Sequence, residues 1–431
     1  MTIKEVKNLI KNLKLSNDLK LFNEGLVGFY ASKHNLRTKN SVFYNPMMRV
    51  NRDITLLLLK VLIKHKLIKN KIRFLDLMAA SGVRSLRIIK EIGLDSIEEI
   101  IINDISKKCY DTIIKNLTYN NIHKNIKSKK VIVKNENALE LLLKNKVFDF
   151  IQVDPFEDIN KFLQLSISRV RDGGVLGLTT TDTASLSGTY PKTCLRRYDA
   201  IPQRIDFKHE FGLRILIRNT QLIGAKQDKA LIPLFSYYYK HHFGVFFRVK
   251  SGRRLANKVF KEHEYLLICN HCFNRKTTDN IFNNKECDLC NKEFLAAGKF
   301  YTGKLWDRDL VLKMNNLLKS EGLSGRLRIS GETKKLLNCV IEESSINMPY
   351  TINTHLVGKY LGMEPVPIGL IKKSLEEQGF TAVKTHFNPV SIRTNADYKV
   401  VLKTIKAIKT TRTSKTIKNQ NTFKANQNTH S

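Results

Sequence analysis

Acidic residues are scarce in this chain: 39 Asp and Glu stand against 74 Lys and Arg among 431 residues, a net charge of +35. The shortage excludes an acid-rich solvating protein and favours a polyanionic partner, because each phosphate neutralised by a cation releases counterions. Lys, Ile and Asn crowd the chain as AT-rich coding would produce, but such drift does not require so few acids. A long hydrophobic run is missing too. The greasiest stretch, ITLLLLKVLIKHKLI, is broken by Lys60, Lys64 and Lys66 and is too short and too charged to span a bilayer. The start, MTIKEVKNLIKNLKL, mixes charges and leucines without a separate apolar core, so no secretory signal is read. The expectation is a soluble monomer without a membrane partner, cytoplasmic, or nuclear or mitochondrial in a eukaryote. Seven cysteines then stand as thiols or metal ligands, with disulfides the lesser alternative.

What is present is organised. Apolar residues make up 42%, enough for real cores, and the length suits two or three domains. A helix is expected over 53–69. KIRFLDLMAASGVRSLRIIKEIG then reads as strand, small-residue loop and helix. IEEIIINDIS, KVIVKNENALELL, VFDFIQVDPF and GGVLGLTTTDT read as four further strands, the third-strand segment ending in a turn. Strands alternating with helices imply right-handed crossovers and a Rossmann-like, doubly wound α/β sheet over residues 1–262. A cysteine-bearing ribbon is expected over 263–297. An α+β domain, winged-helix-like in its two helices and hairpin, is expected over 298–409. From 410 to 431 a basic tail is expected to be disordered and to touch phosphate, the alternative being a solvated tail with no partner. Lys403, Lys406, Lys409, Arg412, Lys415 and Lys418 recur every third residue, a spacing that leaves a helix no apolar face.

In a doubly wound sheet the ligand lies beyond the carboxyl ends of the strands. Asp76, Asp104, Asn137 and Asp154 all fall at or just past such ends. In FLDLMAASGVRS, Ala79, Ala80, Ser81 and Gly82 let backbone approach a ligand closely, but the dinucleotide pattern G-x-G-x-x-G is absent. Asp104 of IINDIS can accept hydrogen bonds from both ribose hydroxyls, which points to an adenosine-containing ligand. The alternative for Asp76 and Asp104 is capping of the helices that follow. Asp154-Pro155-Phe156 ends the fourth strand with a carboxylate, a rigid turn and an aromatic ring. That set suits methyl transfer from a sulfonium to an exocyclic base amine: the acid takes the amine proton and the ring stacks on the base. A base inside folded RNA must first be extruded.

These residues lead to a family. The chain resembles the tRNA (guanine(26)-N(2))-dimethyltransferases, class I S-adenosylmethionine-dependent RNA methyltransferases. The matching stretches are VFYNPMMRVNRDITL, FLDLMAASGVRSLRI, INDIS, VDPF, TTTDTASLSGTYPKTCLRRY, FGLRILI and THFNPVSIRTNA, in the family's order over about residues 42–395. The resemblance implies tRNA as partner and S-adenosyl-L-methionine as methyl donor. It implies that Arg52 and Arg84 contact the donor, Asp104 its ribose, and Asn137 and Ala138 its adenine. It implies Asp154 as the catalytic acid, with Phe43 and Phe156 stacking on the flipped guanine. Without it, Phe43 reads as a core aromatic and Arg52 and Arg84 as surface salt-bridge partners. The family usually has Asp where Asn137 stands, and Gly-Ser where Glu157 and Asp158 follow Phe156, a departure expected to add negative charge beside the pocket. The hydroxyl-rich stretch 179–198 is expected to be a loop beside the pocket, with Arg196 and Arg197 near phosphate.

Cys269, Cys272, Cys287 and Cys290 form C-x-x-C, fourteen intervening residues, C-x-x-C. Paired thiolates at this spacing fit one tetrahedral zinc, a closed structural site with no catalytic position. Two other readings of the chain are a methyltransferase acting on another RNA or DNA base amine and a non-catalytic RNA-binding protein.

Overall fold

Short runs of Ile, Val and Phe build the strands, because β-branched and aromatic side chains pack well on a pleated, buried surface. The computed structural model describes residues 18–33, 41–156, 158–283, 285–321 and 325–408. The lead-in up to residue 17, Glu157 and the tail from 410 lie outside the described residues. The chain folds into two compact units. Among the described residues the first draws on 18–182, 220–260 and 305–338, and the second on 183–219, 261–304 and 339–408.

The first unit opens with an antiparallel hairpin, β1 (Leu19–Glu24) and β2 (Val27–Ser32). Gly25 in its turn has φ +62°, and a Cβ there would stand 1.9 Å from Glu91 Oε1, so a side chain does not fit. Helix α1 (Arg49–Lys64) starts four residues earlier than expected, and its polar first turn is buried along with its leucines. Then β3 (Ile72–Asp76), α2 (Val83–Arg87), β4 (Ile97–Asn103), α3 (Lys107–Tyr119), β5 (Val131–Lys134), α4 (Ala138–Lys144), β6 (Phe148–Val153), α5 (Asn160–Arg169) and β7 (Val170–Thr180) alternate. These five strands from β3 to β7 pair in parallel, as expected. Every residue of β6 is buried, which is why the central strand reads as an apolar run rather than an alternation.

The hairpin of β1 and β2 went unread in the lead-in, and so did two strands of the main sheet: β8 (Lys229–Tyr239) and β9 (His242–Ser251). They add antiparallel to give the sheet order β5-β4-β3-β6-β7-β9-β8. Their two-residue connection, Lys240-His241, takes a positive φ at Lys240 without the Asn or Gly that usually marks such a turn. The expected turn after the third strand is instead α4. The stretch 179–198 is not one loop: it ends β7 and then forms the short helices Thr183–Leu186 and Pro191–Tyr198.

Behind α1 lies a buried ionic network. Arg87 pairs with Glu24 at 2.9 Å, Asp53 at 2.6 Å and Glu91 at 2.7 Å. Arg52 grips Glu24 through Nε at 2.7 Å and Nη2 at 2.5 Å. The other oxygen of Asp53 accepts from Ser330 N and Thr333 Oγ1, both at 2.9 Å. Buried charge is tolerable here because each acid meets a cation and several donors.

In the second unit, β10 (His263–Ile268), β11 (Arg275–Thr278) and β12 (Leu295–Tyr301) form an antiparallel sheet in the order β11-β10-β12 around the cysteines. Further on, β13 (Ile352–Asn353) leads into helices Thr354–Tyr360 and Ile368–Glu377, then the hairpin of β14 (Ala382–Lys384) and β15 (Ser391–Thr394). The expected order of two helices and a hairpin is present, with β13 pairing to β15. Their core holds Ile371, Leu375, Ala382 and Ile392. Arg393 of the late stretch THFNPVSIRTNA is fully buried and bonds Glu210 at 2.8 Å and Glu343 at 3.2 Å. Residues 398–408 are helical with Val401 and Ile405 buried, so Lys403 and Lys406 do sit on a helix with an apolar side. The expectation of no apolar face fails there because the buried positions fall between the lysines, four residues apart.

Candidate active site and metal centre

One cleft in the first unit opens beyond the carboxyl ends of β3 and β6. Its wall includes Phe43, Arg52, Asp76, Ala79, Ala80, Ser81, Arg84, Asp154, Pro155 and Phe156. The sheet accounts for the two acids, since Asp76 ends β3 and Asp154 follows β6 directly. The loop between β3 and α2 carries positive φ at Ala80 (+49°) and Gly82 (+75°). Its backbone is pinned by Ala79 N–H to Asn103 O at 2.8 Å and Ala80 N–H to Asp104 Oδ2 at 2.8 Å.

Arg84 links the acids. It donates from Nη2 to Asp154 Oδ2 at 2.8 Å, and its Nε lies 3.7 Å from Asp76 Oδ1. Its Nη1 donates to Asn51 Oδ1 at 2.6 Å and Thr55 Oγ1 at 3.1 Å. Arg52 and Arg84 are therefore buried and ion-paired rather than surface salt-bridge partners. Burial pushes the Asp154 carboxyl above its usual range, against the opposing pull of Arg84 and then Arg52. A quarter of its side chain still faces the cleft. Oδ1 of Asp154 has no hydrogen-bond partner among the described residues, so Arg84 holds one oxygen and leaves the other for a ligand. Burial likewise raises Asp76, with Arg84 and the Ser85 hydroxyl (2.7 Å) opposing. Phe43 and Phe156 meet edge to face, centroids 4.6 Å apart, and Phe156 is 58% exposed.

Asp104, Asn137 and Ala138 lie outside the cleft wall. Asp104 accepts from two backbone amides, Ala80 and Ser106 at 2.9 Å, and burial raises its carboxyl. It does not cap α3: Ser106 does, accepting from Cys109 N. Asp76 caps nothing either. Asn137 does cap, taking Leu139 N–H at 2.9 Å, and Ala138 starts α4. Asp158 accepts from Asn160 N at 3.0 Å and Nδ2 at 2.8 Å at the start of α5. Arg196 is exposed and Arg197 half-buried on helix Pro191–Tyr198. Sequence reading missed Asn45, Asn51 and His241. Asn45 and His241 line the cleft, while Asn51 stands behind it, fully buried.

The four ribbon cysteines place their sulfurs within 4.8 Å of one another. Each C-x-x-C turn closes alike: Phe273 N–H returns to Cys269 O, Asn291 N–H to Cys287 O, and both residues have positive φ. Burial pushes the Cys272 and Cys290 thiols up, whereas N–H donors from Leu289 and Asn274 hold Cys287 down against the same penalty. The set fits a tetrahedral zinc with no position left for a substrate.

A parallel sheet in this order, closed by an antiparallel strand pair and bearing its cleft at the strand ends, is that of a class I methyltransferase. The family model for N2,N2-dimethylguanosine tRNA methyltransferase matches residues 26–406, and the chain belongs to that family. It is 36% identical over 370 residues to the tRNA (guanine(26)-N(2)/guanine(27)-N(2))-dimethyltransferase of Aquifex aeolicus, covering 84% of this chain and 89% of that protein. It is 34% identical over 402 residues to the tRNA (guanine(26)-N(2))-dimethyltransferase of Pyrococcus furiosus, covering 91% and 100%. Among solved structures, Trm1 from Pyrococcus horikoshii in complex with S-adenosyl-L-methionine is similar at a TM-score of 0.75 and 29% identity, over 90% of this chain and 99% of that one.

Proposed function

We propose that this enzyme transfers methyl groups from S-adenosyl-L-methionine to the exocyclic amine of guanine 26 in tRNA, with Asp154 as acceptor of the amine proton. The observation that carries the reading is the Asp154 carboxylate, tethered by Arg84 at one oxygen and open at the other, beside two aromatic rings. The donor supplies an electrophilic methyl group on a sulfonium. Arg52, Arg84 and the 79–82 backbone would hold its charged end, Asp104 its ribose, and Asn137 and Ala138 its adenine.

The guanine amine is a poor nucleophile because its lone pair is delocalised into the ring. A hydrogen bond from the amine to Asp154 Oδ1 orients it, and the proton passes to that oxygen as the N–C bond forms. A carboxyl raised by burial is the stronger base for this. Phe43 and Phe156 would hold the extruded base by stacking, with Pro155 stiffening the turn between acid and ring. A tRNA substrate suits a cytoplasmic enzyme, and equally a nuclear or mitochondrial one in a eukaryote. Labelled donor and transcripts with guanine or adenine at position 26 test the reading, with mass spectrometry of nucleosides 26 and 27. Methyl on the amine of guanine 26 is expected; equal labelling of the adenine transcript would sink it.

A further inference from the structure

Asn51 never touches the cleft, yet every polar atom of its side chain is engaged toward it. The residue is fully buried in the first turn of α1. Its Oδ1 accepts from Arg84 Nη1 at 2.6 Å. A guanidinium only donates, so the amide orientation is fixed. The Nδ2 end then faces Thr179 Oγ1 on β7 at 2.8 Å and Tyr237 OH on β8 at 2.9 Å, both acceptors. Thr55, one turn along α1, donates to Asn51 O at 2.9 Å and accepts from Arg84 at 3.1 Å. Arg84 is thus held from behind by α1, whose Asn51 is braced on the sheet, and its Nη2 reaches Asp154 while Nε lies near Asp76.

We infer that Asn51, itself held by Thr179 and Tyr237, is a positioning residue that sets Arg84 and through it the orientation of the Asp154 carboxylate. The inference rests on the reading of Asp154 as proton acceptor. A side chain that merely filled space would not need both ends of an amide, and Leu is the commoner choice beside LLLL in the same helix. The charged and titratable groups facing Asp154 are Arg84 and Arg52, with Asp76 and Tyr237 close by. When Asn51 is lost, Arg84 loses its shortest bond and the grip on Asp154 slackens. The carboxylate then loses cationic support, so its protonation moves to higher pH.

The experiment measures kcat, KM for donor and the pH–rate profile of Asn51→Ala, Tyr237→Phe and Asp154→Asn, with donor affinity by calorimetry as the check on folding. For Asn51→Ala the expectation is a kcat loss on the order of 10²-fold. Donor KM should rise by a much smaller factor than kcat falls, since Arg52 and the 79–82 backbone would still hold the donor when Arg84 loosens. The acid limb should shift upward. Tyr237→Phe keeps the Thr179 contact and should show the same pattern at under about tenfold, the scale of one hydrogen bond. An unmoved or lowered acid limb, or a loss confined to donor affinity and melting temperature, overturns the positioning role. Near-normal transfer by Asp154→Asn would instead overturn the proton-acceptor reading, so the two failures are distinguishable.

Discussion

Asp154 is where a single residue matters most. Asp154→Ala should lower kcat on the order of 10³-fold, the middle of what a positioned base contributes, while donor binding stays measurable by calorimetry. Full activity in that variant would falsify the assignment. The pH dependence has a definite sign. The base works only as carboxylate, and burial raises its pKa, so the rate should fall as pH drops through a value above the ordinary 3.8. A profile flat down to pH 4 would contradict this. Much of the cleft was legible at this scale. Asp76, Asp154, Arg52, Arg84, Phe43 and Phe156 share one wall; strand-end position singled out Asp76, Asp154 and Phe156, and the family resemblance Arg52, Arg84 and Phe43. Asn51 was hidden because the expected helix began at 53, which left it outside the helix whose buried first turn it occupies. Asn137 was legible as a strand-end polar group, but only coordinates separate the Leu139 N–H it caps from a ligand.

At the scale of elements, the ribbon makes the sharpest test. Among the described residues, the buried cluster around the cysteines adds only Leu267 and Phe294 to the sulfurs. The metal should therefore carry much of its folding free energy. Cys290→Ser, or dialysis against a strong chelator, should release zinc and lower the melting temperature. Elemental analysis and calorimetry would read both, and an unchanged melting curve without metal would count against the site. The strands from β3 to β7 were readable because buried parallel strands are continuous apolar runs between helices. The pair β8 and β9 was not, because Lys240-His241 turns the chain with no glycine. The two short helices in 179–198 were masked by hydroxyls that usually mark loops.

For the whole molecule, charge decides two behaviours. Burial alone would raise Glu24, but Arg52 and Arg87 hold it down to about 2; His386 and Arg393 do the same for Glu343 against the same penalty. Their contribution is complete above the unfolded value of 4.5 and is lost as pH falls to about 2. Burial depresses His242 to about 3 and His263 to about 4, so each favours the fold above 6.5 and loses that advantage on acidification. These groups lower stability as pH falls from 6.5 to about 2, while Asp76, Asp104 and Asp154, raised by burial, act in the opposite direction; His242→Gln should flatten the decline measured by denaturant between 6.5 and 3, and an unchanged slope would contradict the assignment. The surplus of cations bears on tRNA. Removing residues 410–431 should weaken tRNA affinity and flatten its dependence on salt, whereas unchanged slopes would make that segment a bystander.

The bonds from Ser330 and Thr333 to Asp53 span 277 and 280 residues. They impose an order of assembly on the ribosome. The helix carrying Asn51 and Arg52 emerges early, but Asp53 waits for its last donors until about three quarters of the chain has been made. Closing loops of that length is slow, and the sheet around them pairs strands far apart in sequence. A nascent chain stopped before residue 330 therefore holds most of the methyl-transfer wall with an under-satisfied carboxylate behind it. Residues 330 and 333 must be made before Asp53 can gain these donors.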